Sequence, residues 1–483
     1  MEGEAAGISP SQQRPLLHVL ALPHPLQGHI TPLLHFCLEL GASYSVAVTF
    51  VLTDHILSRM GSRLFSPHIK FMGVADNLPS DHPRQSSFSD SYDAVMGMEA
   101  SVHMLLRDLS LQNQLPNIII CDTFVAWGHK AAVKFGVPSV AFVTTNVSAF
   151  CAMSSTEKLI DSGILPLKTV DGSSKYVDQL ISLPGLPPLQ PHEIPYSMRM
   201  PSSHYRFKFL VEQFSEATKA IAVLVNSISE LERNVLQNLE YKVPVFCIGP
   251  SLMLGDARTL SSMNGLTTSI LPVQEDCLSW LDKQITGSVL YVSFGSITTF
   301  TKLQLMELAL GLEASEQVFL WVIRPGSFEG LLSDVLPPGF VERTKNKCYI
   351  VSWCPQVQVL SHKAVGGFLT HCGWNSILEN ISLGGLPMIC WPDGGEQALN
   401  AKVVVDVWKV GLSVAKQDDI TVGREEIEHL VRALMQGEGA QQFKCKAAKL
   451  RGIVHQAVQE TGSSVGNIKK VLEIVRNVRS KSC

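Results

Sequence analysis

The chain predicts an α/β protein of two Rossmann-like, doubly wound domains, and three observations carry that expectation. Short apolar runs alternate with helix-length segments through both halves of the sequence. The alternation stops near Pro250 and starts afresh after Gln274. At 483 residues, the chain also exceeds what one core accommodates at ~100–200 residues per domain. Strands joined through helix-length segments pair in parallel with right-handed crossovers, in a sheet buried on both faces.

In chain order, residues 1–15 are polar, acidic and proline-broken, and read as a disordered tail without the cationic start or apolar run of a secretory signal. Residues 16–250 form the first domain, with strands expected at Leu16–Leu22, Val46–Val51, Ile69–Val74, Ile118–Cys121, Ser139–Val143 and Ala222–Asn226. Gly136-Val-Pro138 ends a helix and opens a strand. From Thr156 to Pro201 the prolines forbid a long helix or a central strand, so this is loop, where specificity is carried. Residues 251–274, rich in Gly, Ser, Thr and Asn, read as a linker. The second domain, 275–459, has strands expected at Val289–Phe294, Phe319–Ile323, Tyr349–Ser352, Gly366–Thr370, Pro387–Cys390 and Gly411–Val414. Residues 460–483 continue the helical period.

Composition narrows the function classes. Hydrophobic residues make up 46% and charged ones 17%, ample for two cores and unlike a disordered chain. A formal net charge of −4 without a basic block argues against a nucleic-acid partner. Eleven cysteines, scattered singly as at Cys37, Cys121 and Cys247, show no metal-ligand spacing and read as reduced thiols in the cytosol. No apolar run reaches the ~18–20 residues needed to span a bilayer, so no stable membrane insertion is expected.

The chemistry concentrates in Trp353–Gln397, WCPQVQVLSHKAVGGFLTHCGWNSILENISLGGLPMICWPDGGEQ. The run Gly367–Thr370 reads as a buried strand, and the turn His371–Asn375 feeds a helix starting at Ser376. A strand entering a helix through a glycine-bearing turn aims free N–H groups and a partial positive charge at one spot, which suits a diphosphate. A plainer alternative makes Ser376 and Glu379 a capping box that only satisfies the helix's own amides. Against it stand Trp353, Gln356, His371, Trp374, Asn375, Glu396 and Gln397, polar or aromatic residues at turns and element ends rather than on an apolar stripe.

W-x-P-Q, H-C-G-W-N-S-x-x-E, a Pro and a closing E-Q together resemble the signature box of the plant secondary-product UDP-glycosyltransferases, family 1 enzymes that use UDP-sugars. Ser288–Ser296, Pro23–Pro32 and Leu183–Leu189 extend the resemblance over nearly the whole chain. It departs in spacing, and in carrying Asp393-Gly394-Gly395 where the family more often has bulkier residues before E-Q. Between Glu379 and Pro387 the chain is one residue longer than the family's spacing, and this extra residue is expected to be absorbed in the Gly384-Gly385 loop.

The resemblance implies the GT-B fold, two Rossmann-like domains facing across a cleft, with the first binding the acceptor and the second the UDP-sugar. Residues 460–483 would return to the first domain. It assigns Trp353, followed by Cys354, to uracil; Gln356 and Glu379 to the ribose; His371, Asn375, Ser376 and Ser296 to the phosphates; and Trp374, Glu396 and Gln397 to the sugar. An aromatic face suits a planar base and a carboxylate suits a vicinal diol.

Glycosyl transfer also needs a base for the acceptor hydroxyl. His29, directly after Gln27-Gly28 and the first strand, sits where an α/β sheet binds ligands, and in the family a matching His pairs with an Asp matching Asp122. Read without the resemblance, His29 would be a capping or surface histidine and Asp122 an N-cap. No DxD-type acidic pair accompanies the box, so no metal is required, and the co-substrate UDP-sugar leaves no role for a further cofactor. Lacking a second carboxylate as nucleophile, the reaction is expected to be a single displacement with inversion.

The expected function is therefore metal-independent, inverting transfer of glucose from UDP-glucose to a hydroxyl of a small lipophilic acceptor (phenolic, flavonoid or terpenoid) by a cytoplasmic monomer. Gln397 argues for glucose because in the family a terminal Gln goes with that sugar. The acceptor pocket is expected near Asn146–Phe150, 87–104 and 184–200, lined by Met98, Met104, Met153, Phe150 and Tyr196. A dehydrogenase is disfavoured by the absence of a G-x-G-x-x-G after any strand. A non-catalytic UDP-sugar-binding protein is the remaining alternative, and it has no use for His29 with Asp122.

Overall fold

The computed structural model describes residues 17–61, 66–84, 87–169, 176–177, 179–255, 273–415 and 421–482. The expected tail, and most of the expected linker, lie outside the described residues.

Seven parallel strands form the first sheet: β1 (Leu17–Leu22), β2 (Val46–Thr53), β3 (Ile69–Val74), β4 (Ile118–Asp122), β5 (Ser139–Val143), β6 (Val223–Val225) and β7 (Val245–Cys247). Their order is β3-β2-β1-β4-β5-β6-β7. Six more form the second: β8 (Val289–Ser293), β9 (Val318–Val322), β10 (Cys348–Val351), β11 (Val365–Thr370), β12 (Met388–Cys390) and β13 (Gly411–Ser413), in the order β10-β9-β8-β11-β12-β13. Each is a doubly wound sheet whose order reverses beside its first strand. The reversal opens a crevice between β1 and β4 in one sheet and between β8 and β11 in the other.

The period of two along these strands explains why both sheets are covered. Leu17, Val19 and Ala21 of β1 enter the core shared with the helix Gln27–Tyr44, whereas Leu20 and Leu22 enter the core on the opposite face. In β8, Val289 and Tyr291 face one core, and Leu290 and Val292 the other. Every expected strand is present. The unexpected one is β7, three residues between Pro244 and Gly249, too short to show a period.

From 156 to 201 the longest described element is the six-residue helix Thr156–Asp161; beyond it the chain runs in 3-10 turns and isolated bridges, consistent with the prolines there. The last helix, Ser463–Ser482, buries Ile468, Val471, Leu472 and Val475, a helical stripe, in the core of the first sheet. Its Ser464 hydroxyl donates to the Gly249 carbonyl at 2.6 Å. Conversely, Leu399 of the helix Gln397–Lys402 is buried among first-half residues such as Phe150 and Leu189. Among the described residues no helix is long and apolar enough to cross a membrane, and ten cysteines are free thiols.

Gly384 and Gly385, where the extra residue of the signature box is expected, close a helix. The helix Trp374–Glu379 continues as a π-helical turn, Asn380–Gly384, which ends on Gly385 in the left-handed region (φ 59°), where its N–H reaches the Asn380 carbonyl at 2.7 Å. A π turn takes up one residue within a helix without displacing the next strand. Accordingly β12 pairs with β11 over Phe368↔Met388, Leu369↔Ile389 and Thr370↔Cys390, all buried.

Candidate active site

In the first half, the site is built from the two strands that flank the crevice. His29 is the third residue of the helix that follows β1, and Asp122 is the last residue of β4. Ninety-three positions apart in sequence, they meet with His29 Nδ1 2.8 Å from Asp122 Oδ2. Asp122 is fully buried and is not a helix cap: its other oxygen accepts the Phe124 N–H at 2.9 Å, and the next helix begins only at Ala126. With Nδ1–H donated to the carboxylate, Nε2 carries the lone pair.

Three neighbours that sequence reasoning missed fix the ring. The Thr144 hydroxyl lies 3.2 Å from Nδ1. The rings of His24 and Phe124 meet His29 edge to face, at centroid distances of 4.9 and 5.4 Å. His24 is itself held neutral, its pKa well below the usual histidine range chiefly through burial. An eye for the second histidine in Pro23-His24-Pro25 would have found it.

In the second half, the crevice between β8 and β11 holds His371 in a slot between two glycines. A Cβ on Gly295 (φ 71°) would come within 2.6 Å of His371 Nε2, and one on Gly373 closer still. Only glycine lets both loops approach the imidazole so closely. Burial lowers the His371 pKa to about 4, so this ring offers an N–H rather than a positive charge. Ser296 follows on the same loop, half-buried.

Ser376 and Glu379 do not form a capping box. The helix is capped by Gly373 without any side-chain bond. Instead, the Gln356 amide donates to the Ser376 hydroxyl at 3.0 Å and to Glu379 Oε2 at 2.6 Å, and accepts the Tyr291 hydroxyl at 3.0 Å. The expected ribose pair is thus one internally bonded unit, with Gln356 orienting Glu379. Burial pushes the Glu379 carboxyl up to about 7, opposed by the Gln356 bond. Tyr291, another residue sequence reasoning missed, stacks on Phe368 and also contacts the Cys354 thiol at 3.3 Å. Cys354 is therefore turned inward, while Trp353 stays half-exposed at the edge of the core.

The residues expected at the sugar and phosphates are tied into the protein by bonds of their own. Trp374 is buried and its indole N–H donates to the Asn226 carbonyl at 2.8 Å, so its ring ties the two halves together. Asn375, expected at the phosphates, donates across the cleft to the carbonyl of Gly28, next to His29. Gln397 accepts the Asp393 and Gly394 N–H groups at 2.8 and 3.1 Å, which leaves only its NH₂ end for a ligand. Glu396 stands at the start of the same helix; burial raises its carboxyl, opposed by hydrogen bonds and by the field of nearby His29. The expected acceptor lining is also revised: Met98, Phe150 and Met153 belong to packed cores, Asn146 is fully buried, and Met104 lies on the surface. Among the described residues no cluster of His, Cys, Asp or Glu is placed to hold a metal.

Two doubly wound sheets presenting polar crevices to one another define a GT-B protein, the architecture of nucleotide-sugar-dependent transferases. Residues 202–457 match the family described as "UDP-glucoronosyl and UDP-glucosyl transferase". The chain is 35% identical over 480 residues to 7-deoxyloganetin glucosyltransferase of Gardenia jasminoides, covering 95% of this chain and 97% of that one. It is also 35% identical to UDP-glycosyltransferase 85A7 of Arabidopsis thaliana, over 95% of this chain and 96% of that one. Among solved structures, UGT2 of Phytolacca americana, complexed with UDP-2fluoro-glucose and pterostilbene, superposes with a TM-score of 0.79 at 27% identity, over 95% of this chain and 100% of that one. Os79 of O. sativa, in complex with UDP, gives the same score, identity and coverage. The chain belongs to the UDP-glycosyltransferase family and is a UDP-glycosyltransferase.

Proposed function

We propose that this enzyme transfers glucose from UDP-glucose to a hydroxyl of a small lipophilic acceptor, with inversion and without a metal. The observation that carries the reading is the 2.8 Å His29–Asp122 contact at one crevice, set opposite the box of the other. His29 Nε2 takes the acceptor's proton while the hydroxyl oxygen attacks C1 of the sugar. The C1–O bond to the diphosphate breaks, and UDP leaves with the electron pair. Asp122 keeps Nδ1–H in place and stabilises the imidazolium. The leaving diphosphate meets the amides of the turn before the helix at Trp374, the imidazole N–H of His371 and the Ser296 loop.

Trp353 would stack on uracil and Glu379 would accept the ribose hydroxyls. The NH₂ group of Gln397 with the Glu396 carboxylate would hold the sugar, and a Gln closing the box supports glucose. The relatives support this reading: one is named for glucosylating 7-deoxyloganetin, and a UDP-glucosyltransferase from Polygonum tinctorium is described as capable of glucosylating indoxyl. The acceptor would bind in the first half, beside Phe124, and one chain carries the complete site.

Competition among UDP-glucose, UDP-galactose and UDP-glucuronate over an acceptor panel, with NMR of the anomeric linkage, tests the proposal. Highest kcat/KM for UDP-glucose and a β-linked product are expected. Preference for another donor, or a retained α-linkage, overturns it.

A further inference from the structure

Among the contacts between the two halves, one is a chain of side-chain amides whose every orientation is forced. Asn146 caps the helix Val147–Ser154, accepting the Ala149 N–H on Oδ1 at 2.6 Å. With its oxygen committed, Asn146 Nδ2 turns outward and donates to Asn400 Oδ1 at 2.7 Å. That bond orients Asn400 in turn, so its Nδ2 donates to the Cys372 carbonyl at 2.9 Å and to Glu396 Oε1 at 3.2 Å. Both asparagines are fully buried, and flipping either amide would set donor against donor and acceptor against acceptor.

The ends of this relay are informative. Cys372 holds φ 66°, a left-handed conformation uncommon for a residue with a side chain, in the turn between β11 and the helix at Trp374. Glu396 is the half-buried carboxylate that opens the helix Gln397–Lys402. At the other end, Asn146 lies two residues after Thr144, whose hydroxyl touches His29. The segment that steadies the base thus also steadies the turn and the carboxylate across the cleft.

We propose that Asn400, oriented by Asn146, is a positioning residue for the donor sugar: it aims the Glu396 carboxylate in register with the acceptor half. This rests on reading Glu396 as a sugar contact. Asn400 touches no reacting atom, and its effect passes through Glu396.

The test separates the sugar from the nucleotide. Asn400→Ala should lower kcat/KM for UDP-glucose about 10- to 100-fold, the cost of a lost bond to a charged group, with UDP affinity within about threefold of wild type. Asn146→Ser keeps a capping hydroxyl but cannot span to Asn400, so it should reproduce the direction of the defect at near-normal Tm. The double variant should be no worse than Asn400→Ala alone, because both break one relay. Parallel loss of UDP and UDP-glucose affinity, multiplicative losses in the double variant, or an unchanged rate in Asn146→Ser would overturn the proposal. Glu396→Gln distinguishes the underlying reading: if it leaves the preference for UDP-glucose over UDP intact, Glu396 is not a sugar contact. If it abolishes that preference while Asn400→Ala does not, the relay alone is refuted.

Discussion

The two halves share a strand order and place their sites at the same topological point, yet they spend their side chains differently. At the first crevice, one imidazole is steadied through Nδ1 and by two ring edges, which leaves a nitrogen able to take a proton. At the second, polar groups are largely bonded to each other: Gln356 to Ser376, Glu379 and Tyr291, and Gln397 to its own loop. A reacting group must keep a valence open, whereas a binding frame gains from being preorganised before its ligand arrives. One architecture therefore hosts chemistry on one side and recognition on the other, decided by the loops at the strand ends.

Substitutions that should act on one half alone can break that comparison. The largest expected effect is His29→Ala, a loss of ~10²–10⁴-fold in kcat, read in steady-state transfer with several acceptors. Retention of most of the rate would remove His29 as the base. Asp122→Asn should cost less, because the amide can still occupy the site but no longer stabilises the imidazolium; single-turnover rates would show it.

Glu379→Gln sharpens the contrast through pH. The carboxyl is raised to about 7 in the folded chain, above its unfolded value, so ionisation weakens the fold as pH rises through that interval. Glu379→Gln should therefore raise Tm more at pH 8 than at pH 5. Ribose hydroxyls favour the ionised carboxylate, so wild-type affinity for UDP-glucose should rise from pH 6 to pH 8 with proton release, and the variant should lose that component. Calorimetry in two buffers of different ionisation enthalpy measures it, and equal pH dependence in both proteins would count against the ribose assignment. The smallest effect is expected for Trp374→Phe, which loses the tie to Asn226: about 1 kcal/mol in thermal stability, with the glucose-to-galactose ratio unchanged. A shift in that ratio would place the Trp374 ring in the sugar subsite.

Legibility in the sequence tracks the range of the interactions. Strands buried on both faces announce themselves as apolar runs, so twelve of the thirteen among the described residues are legible, and the three residues of β7 carry too little period to be seen. The contiguous box Trp353–Gln397 can be read as a nucleotide-sugar site because its residues share one loop system. His29 and Asp122 can be paired only by resemblance, since nothing local links positions so far apart. Illegible are the directions of side chains: that Trp374 looks to Asn226, that Gln397 folds back on Asp393, and that Asn400 bridges Asn146, Cys372 and Glu396. Each depends on how the halves dock. The extra residue before Pro387 is visible as spacing, but the π turn over Asn380–Gly384 has no side-chain signature.

Division of labour between the halves is tested most directly by titrating UDP calorimetrically into His29→Ala and Glu379→Ala and measuring transfer by both. The expected result is an exchange of phenotypes: His29→Ala binds UDP like wild type but transfers at least ~10²-fold more slowly, whereas Glu379→Ala binds UDP weakly and recovers much of its rate at saturating donor. If His29→Ala lost UDP affinity in proportion to its rate, or if Glu379→Ala lost kcat with UDP affinity unchanged, the assignment of chemistry to one crevice and recognition to the other would be contradicted.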